Sequence, residues 1–210
     1  MYLPEFLAIA LAHFVAVASP GPDFALVLRQ AVSRGKQAGL WTSAGIATGI
    51  LVHVAYCLLG VALLLSRSPT LLLATKCIAA LYLAWLGMGA IRDARHPVVT
   101  GSVDSLVPPL SRRKLWLAGF LTNGLNPKAT LFFLALFTVV ISPSTPLPVQ
   151  MAYGVYLSLA TFAWFALLSS LLGIAAVRAW MLGAGIWFER GMGVVLIGLA
   201  LQMAVSLVAG

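Results

Sequence analysis

The chain has 210 residues, of which 61% are hydrophobic and only 9% are charged, and its mean hydropathy is +1.02. A soluble chain carries about 25% charged residues and buries about 70% of its unfolded surface at this size, so it could not hide this much apolar surface from water. The composition excludes a secreted domain and a cytosolic enzyme and predicts a membrane protein. The net charge of +8 does not indicate nucleic-acid binding, because the basic residues lie between apolar runs, where they set topology.

Six apolar runs follow one another along the chain, and crossing a bilayer takes about 20 residues. The runs are 3–28, 41–65, 71–91, 115–141, 151–175 and 191–208. The connection 92–114 is the longest and separates 1–91 from 115–210, with three runs on each side. The predicted fold is therefore one all-α integral membrane domain of six transmembrane helices. Three spans per half force the second half to run upside down, so the halves form inverted repeats, a common transporter construction.

Basic residues are concentrated in alternate connections between these runs. Counting the residues at their edges, the connection after the first run has three Lys and Arg residues, the one after the third has five, and the one after the fifth has two. The connections after the second and fourth runs together have two. Lys128 is left out of this comparison because it lies inside a run. Basic residues favour the cytoplasmic side. The pattern therefore predicts that 92–114 is a cytoplasmic loop and that both termini lie outside.

The first and fourth runs are each interrupted near the middle by proline, so both predicted helices are broken. The first interruption is Pro20, Gly21, Pro22 and Asp23, and the second is Asn126, Pro127 and Lys128. Proline removes a backbone donor and clashes with the preceding turn, and in lipid the freed carbonyls need partners or a wet cavity. A single proline often only kinks a membrane helix. Matched breaks in two halves instead indicate a binding site.

Each break carries a charged residue. Lys128 lies ~21 Å along the helix from the preceding loop, which is too deep to reach the surface, so it either binds a substrate carboxylate or forms a structural ion pair. Asp23 either binds an ammonium group or caps the short helix that follows it. A zwitterion such as an amino acid suits this pair. The N–H groups that follow Pro127 would also bind the carboxylate of the amino acid. The backbone carbonyls of 20–22 would bind its ammonium group.

Further polar residues lie near the second break and in the second run. We expect Asn123 and Asn126 to support the broken backbone and to contact substrate. His53 either relays protons, since an imidazole titrates near neutral pH, or simply hydrogen-bonds a neighbouring helix, which is the more common role. Glycines at four-residue spacing let helices approach closely and permit a homodimer. The predicted packing glycines are Gly35, Gly39, Gly45 and Gly49.

Taken together, these motifs resemble the lysine exporter / homoserine-threonine resistance (LysE/RhtB) family of bacterial amino-acid exporters over nearly the whole chain. The similar segments are 20–23, 35–53, 76 with 80–87, 119–123, 126–129 and 132–133. Ala79 and the segment 137–140 depart from the family pattern, but neither touches a break. These departures leave the precise substrate open.

The resemblance implies a secondary transporter of the bacterial inner membrane that exports amino acids or close derivatives by proton antiport with alternating access. Its partners would be the amino acid, protons and the bilayer, with no cofactor. The residues themselves predict no metal site and no catalytic residue, and the charge pattern predicts periplasmic termini. The candidate proton-relay residues are Asp23 and His53. The candidate substrate-binding residues are Pro20, Gly21, Pro22, Asp23, Asn123, Asn126, Pro127 and Lys128.

Two other functions remain open at this point. One is the export of another small solute or of a metal ion on the same fold. The breaks hold a single carboxylate and no neighbouring thiolate or imidazole, whereas cation sites need several such ligands. The other is a membrane-embedded enzyme, which would need a nucleophile with a base or paired carboxylates. Asp23 is the one acid deep inside a predicted span, which makes this function less favoured.

Overall fold

The computed structural model describes residues 2–92, 108–142, 144–172 and 174–208. Helices make up these residues apart from short connections. In chain order they are α1 (Leu3–Ala18), α2 (Pro22–Arg34), α3 (Lys36–Arg67), α4 (Pro69–Arg92), α5 (Arg112–Gly124), α6 (Pro127–Ala135), α7 (Leu147–Leu171) and α8 (Ala175–Val208). A π-helical turn, Leu136–Val140, continues α6. The predicted all-α fold is confirmed for the described residues.

Four helices contain segments that are long and apolar enough to cross a membrane. These segments are Lys36–Gly60 in α3, Leu73–Arg92 in α4, Leu147–Leu171 in α7 and Gly183–Val205 in α8. Helices α1 and α2 together meet the same criterion as one broken span that bends by 55°. The apolar segment Pro127–Val140, which follows the second break, is shorter. The structure thus supports four or five spans within the described residues, and the sixth stays a prediction.

Both predicted helix breaks are present, and proline begins a new helix at each. Pro22 and Pro127 occupy the first position of α2 and α6, where the missing N–H costs little because the first helical N–H groups have no partner within the helix. At the first break, Ser19 and Gly21 adopt extended backbone conformations. At the second, the Asn126 side chain accepts a hydrogen bond from the Lys128 backbone N–H at 3.0 Å and caps α6.

The predicted boundaries of the last two spans were wrong. Helix α7, the predicted fifth span, ends at Leu171 rather than at 175. Helix α8 begins at Ala175, and its apolar segment begins at Gly183, eight residues before the expected start of the last span at 191. Arg178 and Arg190, expected in a loop, both lie in α8. The Arg190 guanidinium lies 5.6 Å from the centre of the Trp187 ring, a cation–π contact that helps a helix carry the charge. The loop 92–114 falls mostly outside the described residues, so its placement and the division of the chain around it stay predictions.

Three of the four predicted packing glycines lie where another helix passes close to α3. A side chain at Gly45 would collide with the backbone carbonyl of Trp116 in α5. In the same way, a side chain at Gly119 in α5 would collide with the backbone carbonyl of Thr42 in α3. Gly39 likewise lies against Ser169 of α7, and Gly49 against Asn123 of α5. These contacts hold α3 between α5 and α7.

Gly35 has a different role from the one predicted. Its φ is 85°, and it forms the turn between α2 and α3. Its Cβ position has no neighbour within 4 Å beyond the adjoining residues. Glycine is favoured here because side chains disfavour positive φ, and not because a helix packs against it.

The buried apolar side chains form two groups. The larger group includes Phe132, Phe133 and Met192, and the smaller one includes Phe24 and Phe165. All five of these side chains also line one cavity. The cavity therefore lies where the two parts of the core meet.

Candidate functional site

The cavity between the two helix breaks has a volume of about 70 Å³. One ordered water needs about 10–15 Å³ on this measure, so the cavity has room for a small organic molecule. Residues from α1, α3, α7 and α8 line it together with both breaks. Much of the wall is apolar, and the polar groups are confined to a few positions.

Asp23 and Lys128 bring opposite charges to this cavity, one from each break. The Oδ2 atom of Asp23 accepts a hydrogen bond from the Asn123 amide at 2.8 Å. Its Oδ1 atom is buried and has no hydrogen-bond partner. The Lys128 ammonium donates to the Ser19 hydroxyl at 3.4 Å and is attracted by the Asp23 carboxylate. The cavity is therefore lined by a cation and by a carboxylate, and one oxygen of that carboxylate is buried without a partner.

Asn123 connects the Asp23 carboxylate with α3. Its amide nitrogen holds Asp23, and its side-chain oxygen is a second buried acceptor without a partner. That oxygen lies only 2.8 Å from the position that a Cβ on Gly49 would take. The Asn123 backbone carbonyl accepts a hydrogen bond from His53 Nε2 at 3.0 Å. Gly49 therefore leaves the space that the Asn123 side chain needs, and His53 fixes its backbone.

His53 lies behind this site and is fully buried. Its Nδ1 atom lies 2.8 Å from the Tyr56 hydroxyl, which in turn lies 3.2 Å from the Thr130 carbonyl. The imidazole stacks on Phe133, with ring centres 5.5 Å apart. Because Asn123 precedes the second break and Thr130 follows it, His53 and Tyr56 brace the backbone on both sides of the break. His53 is not among the residues that line the cavity.

The structure brings together most of the predicted substrate-binding residues. Six of them line the cavity: Gly21, Pro22, Asp23, Asn123, Asn126 and Lys128. Pro20 and Pro127 lie at the breaks but do not line it. The first N–H of α6 beyond Pro127 is already bound by the Asn126 side chain. Less of this helix end is therefore open to a ligand than the sequence suggested.

Sequence reasoning missed three contributors to the cavity region. Thr161 lines the cavity and is hydrogen-bonded to His13 at 2.9 Å. Glu189, which precedes the predicted run 191–208, lies within the apolar part of α8, three residues before the cavity residue Met192, and its charge attracts Lys128. Ser19 had a usable signal, because the offset of 107 that aligns Pro20 with Pro127 also aligns Ser19 with Asn126. The other two carried no such signal.

Metal ligands do not cluster in the part of the chain that the structure describes. No group of three or more His, Cys, Asp and Glu side chains that could hold a metal ion is found there.

Residues 14–207 match the family described as "LysE type translocator". The threonine efflux protein of Escherichia coli K12 is 28% identical over 201 residues, which cover 96% of this chain and 98% of that protein. The homoserine/homoserine lactone efflux protein of Salmonella typhimurium is 31% identical over 130 residues, covering 61% and 60% of the two chains. No solved structure matches this chain. With its apolar helices and a match over nearly its whole length, the chain is a multi-pass membrane protein that belongs to the LysE type translocator family.

Proposed function

We propose that this protein exports amino acids or close derivatives across the bacterial inner membrane. The observation that carries the proposal is the pairing of Asp23 and Lys128 in one small cavity between two broken helices. An amino acid carries both a carboxylate and an ammonium group, so it is complementary to this pair. Membership of a translocator family and similarity to threonine and homoserine efflux proteins support the same function.

The arrangement of hydrogen-bonding groups supports a particular orientation of the substrate. An ammonium group has three N–H donors, and the cavity region offers two buried acceptors without partners, Asp23 Oδ1 and Asn123 Oδ1. The substrate carboxylate would then lie at the Lys128 ammonium. Its interaction with Ser19 is long at 3.4 Å, and charge-assisted hydrogen bonds are usually near 2.7–2.9 Å. A substrate carboxylate would give Lys128 a stronger hydrogen-bond partner than Ser19.

Competition at Asp23 would couple export to protons. A proton and a substrate ammonium would both bind the unpartnered Oδ1 atom, so loading one would release the other. This exchange is proton antiport, and it makes Asp23 the preferred proton-binding residue. His53 is the second candidate, although its hydrogen bonds to the backbone of Asn123 and to Tyr56 suit a bracing role.

For the whole transporter we propose six spans in two inverted repeats, with α1–α2 and α5–α6 as the broken first and fourth spans. Each repeat then consists of one broken helix followed by two continuous ones, which is the order of the described helices. Rocking of one repeat against the other would open the cavity to each side in turn. Both termini would be periplasmic, and the protein would work as a monomer or a homodimer.

Purified protein in proteoliposomes tests this function. We expect that an imposed pH gradient drives accumulation of one or more members of a panel of radiolabelled amino acids, and that protein-free vesicles show none. Asp23→Asn should abolish the response to the pH gradient, since an amide does not exchange a proton in this range. Failure to move any amino acid would refute the exporter. Accumulation that ignores the pH gradient in the wild-type protein would refute antiport.

A further inference from the structure

Asp23 and Lys128 line the same cavity, yet within the described residues they make no hydrogen bond with each other. The Asp23 carboxylate binds Asn123 through Oδ2, and its Oδ1 atom has no partner. The Lys128 ammonium donates instead to the Ser19 hydroxyl. A buried ammonium would normally bind a nearby carboxylate with a spare oxygen, because an uncompensated charge is costly away from water. This arrangement indicates that another anion compensates Lys128.

The chain has five acidic residues, and few of them can supply this anion. Two lie within 93–107, which the structure does not describe, in the connection predicted to be cytoplasmic. Glu5 lies near the start of α1, at the opposite end of that helix from the break. Its carboxylate already accepts hydrogen bonds from the connection between α6 and α7. Apart from Asp23 itself, the remaining acid is Glu189.

Glu189 lies on the face of α8 that packs into the helix bundle. Met192, three residues further along, is 1% exposed and lines the cavity, and Leu196, seven residues from Glu189, is fully buried. Residues three and seven apart share one face of a helix. Glu189 is itself partly buried, whereas its neighbour Arg190 is exposed. The helix therefore places the Glu189 charge about one turn from the cavity.

The charges of Glu189 and Lys128 attract each other more strongly than those of Asp23 and Lys128 do. This order agrees with the hydrogen bonds, because the Asp23 carboxylate is engaged by Asn123. Charged residues inside a membrane helix are costly and are usually paired with one another. Compensation by Glu189 would let Lys128 keep its charge in a buried site without using the Asp23 carboxylate.

We propose that Glu189 is the counter-charge of Lys128 and keeps the Lys128 ammonium from pairing with Asp23, so that Asp23 stays available for the substrate ammonium. This inference rests on the proposed function, in which Asp23 and Lys128 bind opposite ends of an amino acid. Without a counter-charge the two residues would neutralise each other, and a substrate would have to break their ion pair before it could bind. Glu189 is thus a positioning residue, which acts through Lys128 and does not contact the substrate.

The melting temperatures of detergent-purified variants show which acid compensates Lys128. Lys128→Met leaves the partner of Lys128 as an uncompensated buried carboxylate, so it should lower the melting temperature. Neutralising that partner in the same protein should recover most of the loss. We therefore expect that adding Glu189→Gln to Lys128→Met recovers more of the melting temperature than adding Asp23→Asn does.

Glu5→Gln is the matched control for this comparison, since it also removes an acid but lies outside the cavity. Added to Lys128→Met, it should recover none of the loss. Should Lys128→Met alone not fold, the yield of folded protein from the double variants gives the same comparison. Equal or greater recovery with Asp23→Asn, or an unchanged melting temperature in Lys128→Met, would overturn the proposal.

Substrate binding shows whether Glu189 also positions Lys128. The probe is labelled threonine, or another amino acid of the transport panel if the wild type transports that one instead. In Glu189→Gln the Lys128 ammonium can pair with Asp23, so affinity should fall roughly 10-fold, the loss of about one charge-assisted hydrogen bond. Glu189→Asp keeps the charge and should retain most of the affinity.

A double-mutant cycle separates this role from a merely structural one. If Glu189 acts through Lys128, then Glu189→Gln should cause no further loss of affinity in the Lys128→Met protein. Additive losses, or wild-type affinity in a folded Glu189→Gln protein, would overturn the positioning role. A wild-type protein that binds and transports no amino acid would instead refute the proposed function.

Discussion

The unpartnered Oδ1 atom of Asp23 is the residue-level feature that most needs an explanation. A buried acceptor without a hydrogen bond costs about 1–3 kcal/mol, and Asn123, which binds Asp23, has a second such oxygen. Each of these residues uses its other side-chain polar atom in their mutual hydrogen bond. The two remaining oxygens can be satisfied by a ligand that brings several donors. On the proposed function that ligand is the substrate ammonium.

Replacing Lys128 tests whether it binds the substrate carboxylate. Lys128→Met keeps the length of the side chain and removes its charge and donors. A charge-assisted hydrogen bond contributes ~1.5–3 kcal/mol, so substrate affinity should fall roughly 10- to 150-fold. Binding to the purified variant measures the effect. Lys76→Met, which removes a lysine from α4 outside the cavity, is the matched control and should bind substrate as the wild type does.

A structural ion pair between Lys128 and Asp23 leads to a different result. Lys128→Met would then leave a buried carboxylate uncompensated and lower the melting temperature. The double variant Lys128→Met with Asp23→Asn would recover both folding and substrate binding. Wild-type affinity in a well-folded Lys128→Met protein would rule out the carboxylate-binding role.

We predict that His53 acts as a packing residue. In His53→Gln an amide can still donate to the Asn123 carbonyl, but the contact with Tyr56 is lost, which should lower stability by ~1 kcal/mol. Export should slow only modestly, and its dependence on the pH gradient should persist. Transport assays across a range of pH values measure this. Loss of proton-driven export with intact substrate binding would instead make His53 a proton relay.

At the scale of elements, close contact between α3 and α5 depends on Gly45. An alanine there would place its methyl group in the backbone carbonyl of Trp116, and the two helices would have to separate. Overpacking of this kind typically costs about 1–3 kcal/mol. We therefore expect Gly45→Ala to lower the melting temperature of the detergent-purified protein.

Gly60→Ala is the matched control in the same helix. The Cβ position of Gly60 has no neighbour within 4 Å, and alanine favours helix over glycine by about 0.5–1 kcal/mol. Its melting temperature should stay the same or rise. Equal losses of stability in both variants would show that the glycine contact does not hold α3 and α5 together.

The helix breaks could be predicted from sequence, but some helix ends could not. Proline acts locally through its missing N–H and its ring, so Pro22 and Pro127 mark the breaks without any tertiary information. The start of α8 was misplaced because Glu189 and Arg190 suggest a loop when only hydropathy is considered. In the structure, contacts with Trp187 and attraction to Lys128 let a continuous helix carry these charges. Such contacts depend on which helix face packs inward.

At the scale of the molecule, sequence reasoning brought Asp23 and Lys128 together because each lies in a break, and matched breaks in a transporter meet at one site. It could not pair His13 with Thr161, since both lie in regular helices with no local irregularity. Their contact depends on how α1 and α7 are rotated about their axes. Rotation is decided by packing of the whole helix bundle, which a single sequence does not reveal.

The topology of the whole chain can be tested by cysteine labelling. The asymmetry of basic residues predicts that 92–114 is cytoplasmic. A cysteine placed at Ser105, in a chain whose Cys57 and Cys77 are replaced by alanine, should react in intact cells only with a membrane-permeant maleimide. A cysteine at Ser144, which is exposed and lies on the opposite side of the predicted topology, should also react with an impermeant one. Labelling of position 105 by the impermeant reagent would reverse the predicted orientation.

The contact of α3 with α5 has a consequence for how the protein is made. The two helices belong to different halves of the chain, yet Gly45 and Gly119 each lie against a backbone carbonyl of the other helix. During synthesis α3 leaves the ribosome long before α5, so this surface of α3 must be covered by lipid or by an insertion factor until α5 arrives. The first half therefore cannot reach its final packing alone. If the two halves were produced as separate chains, each would need the other to mature.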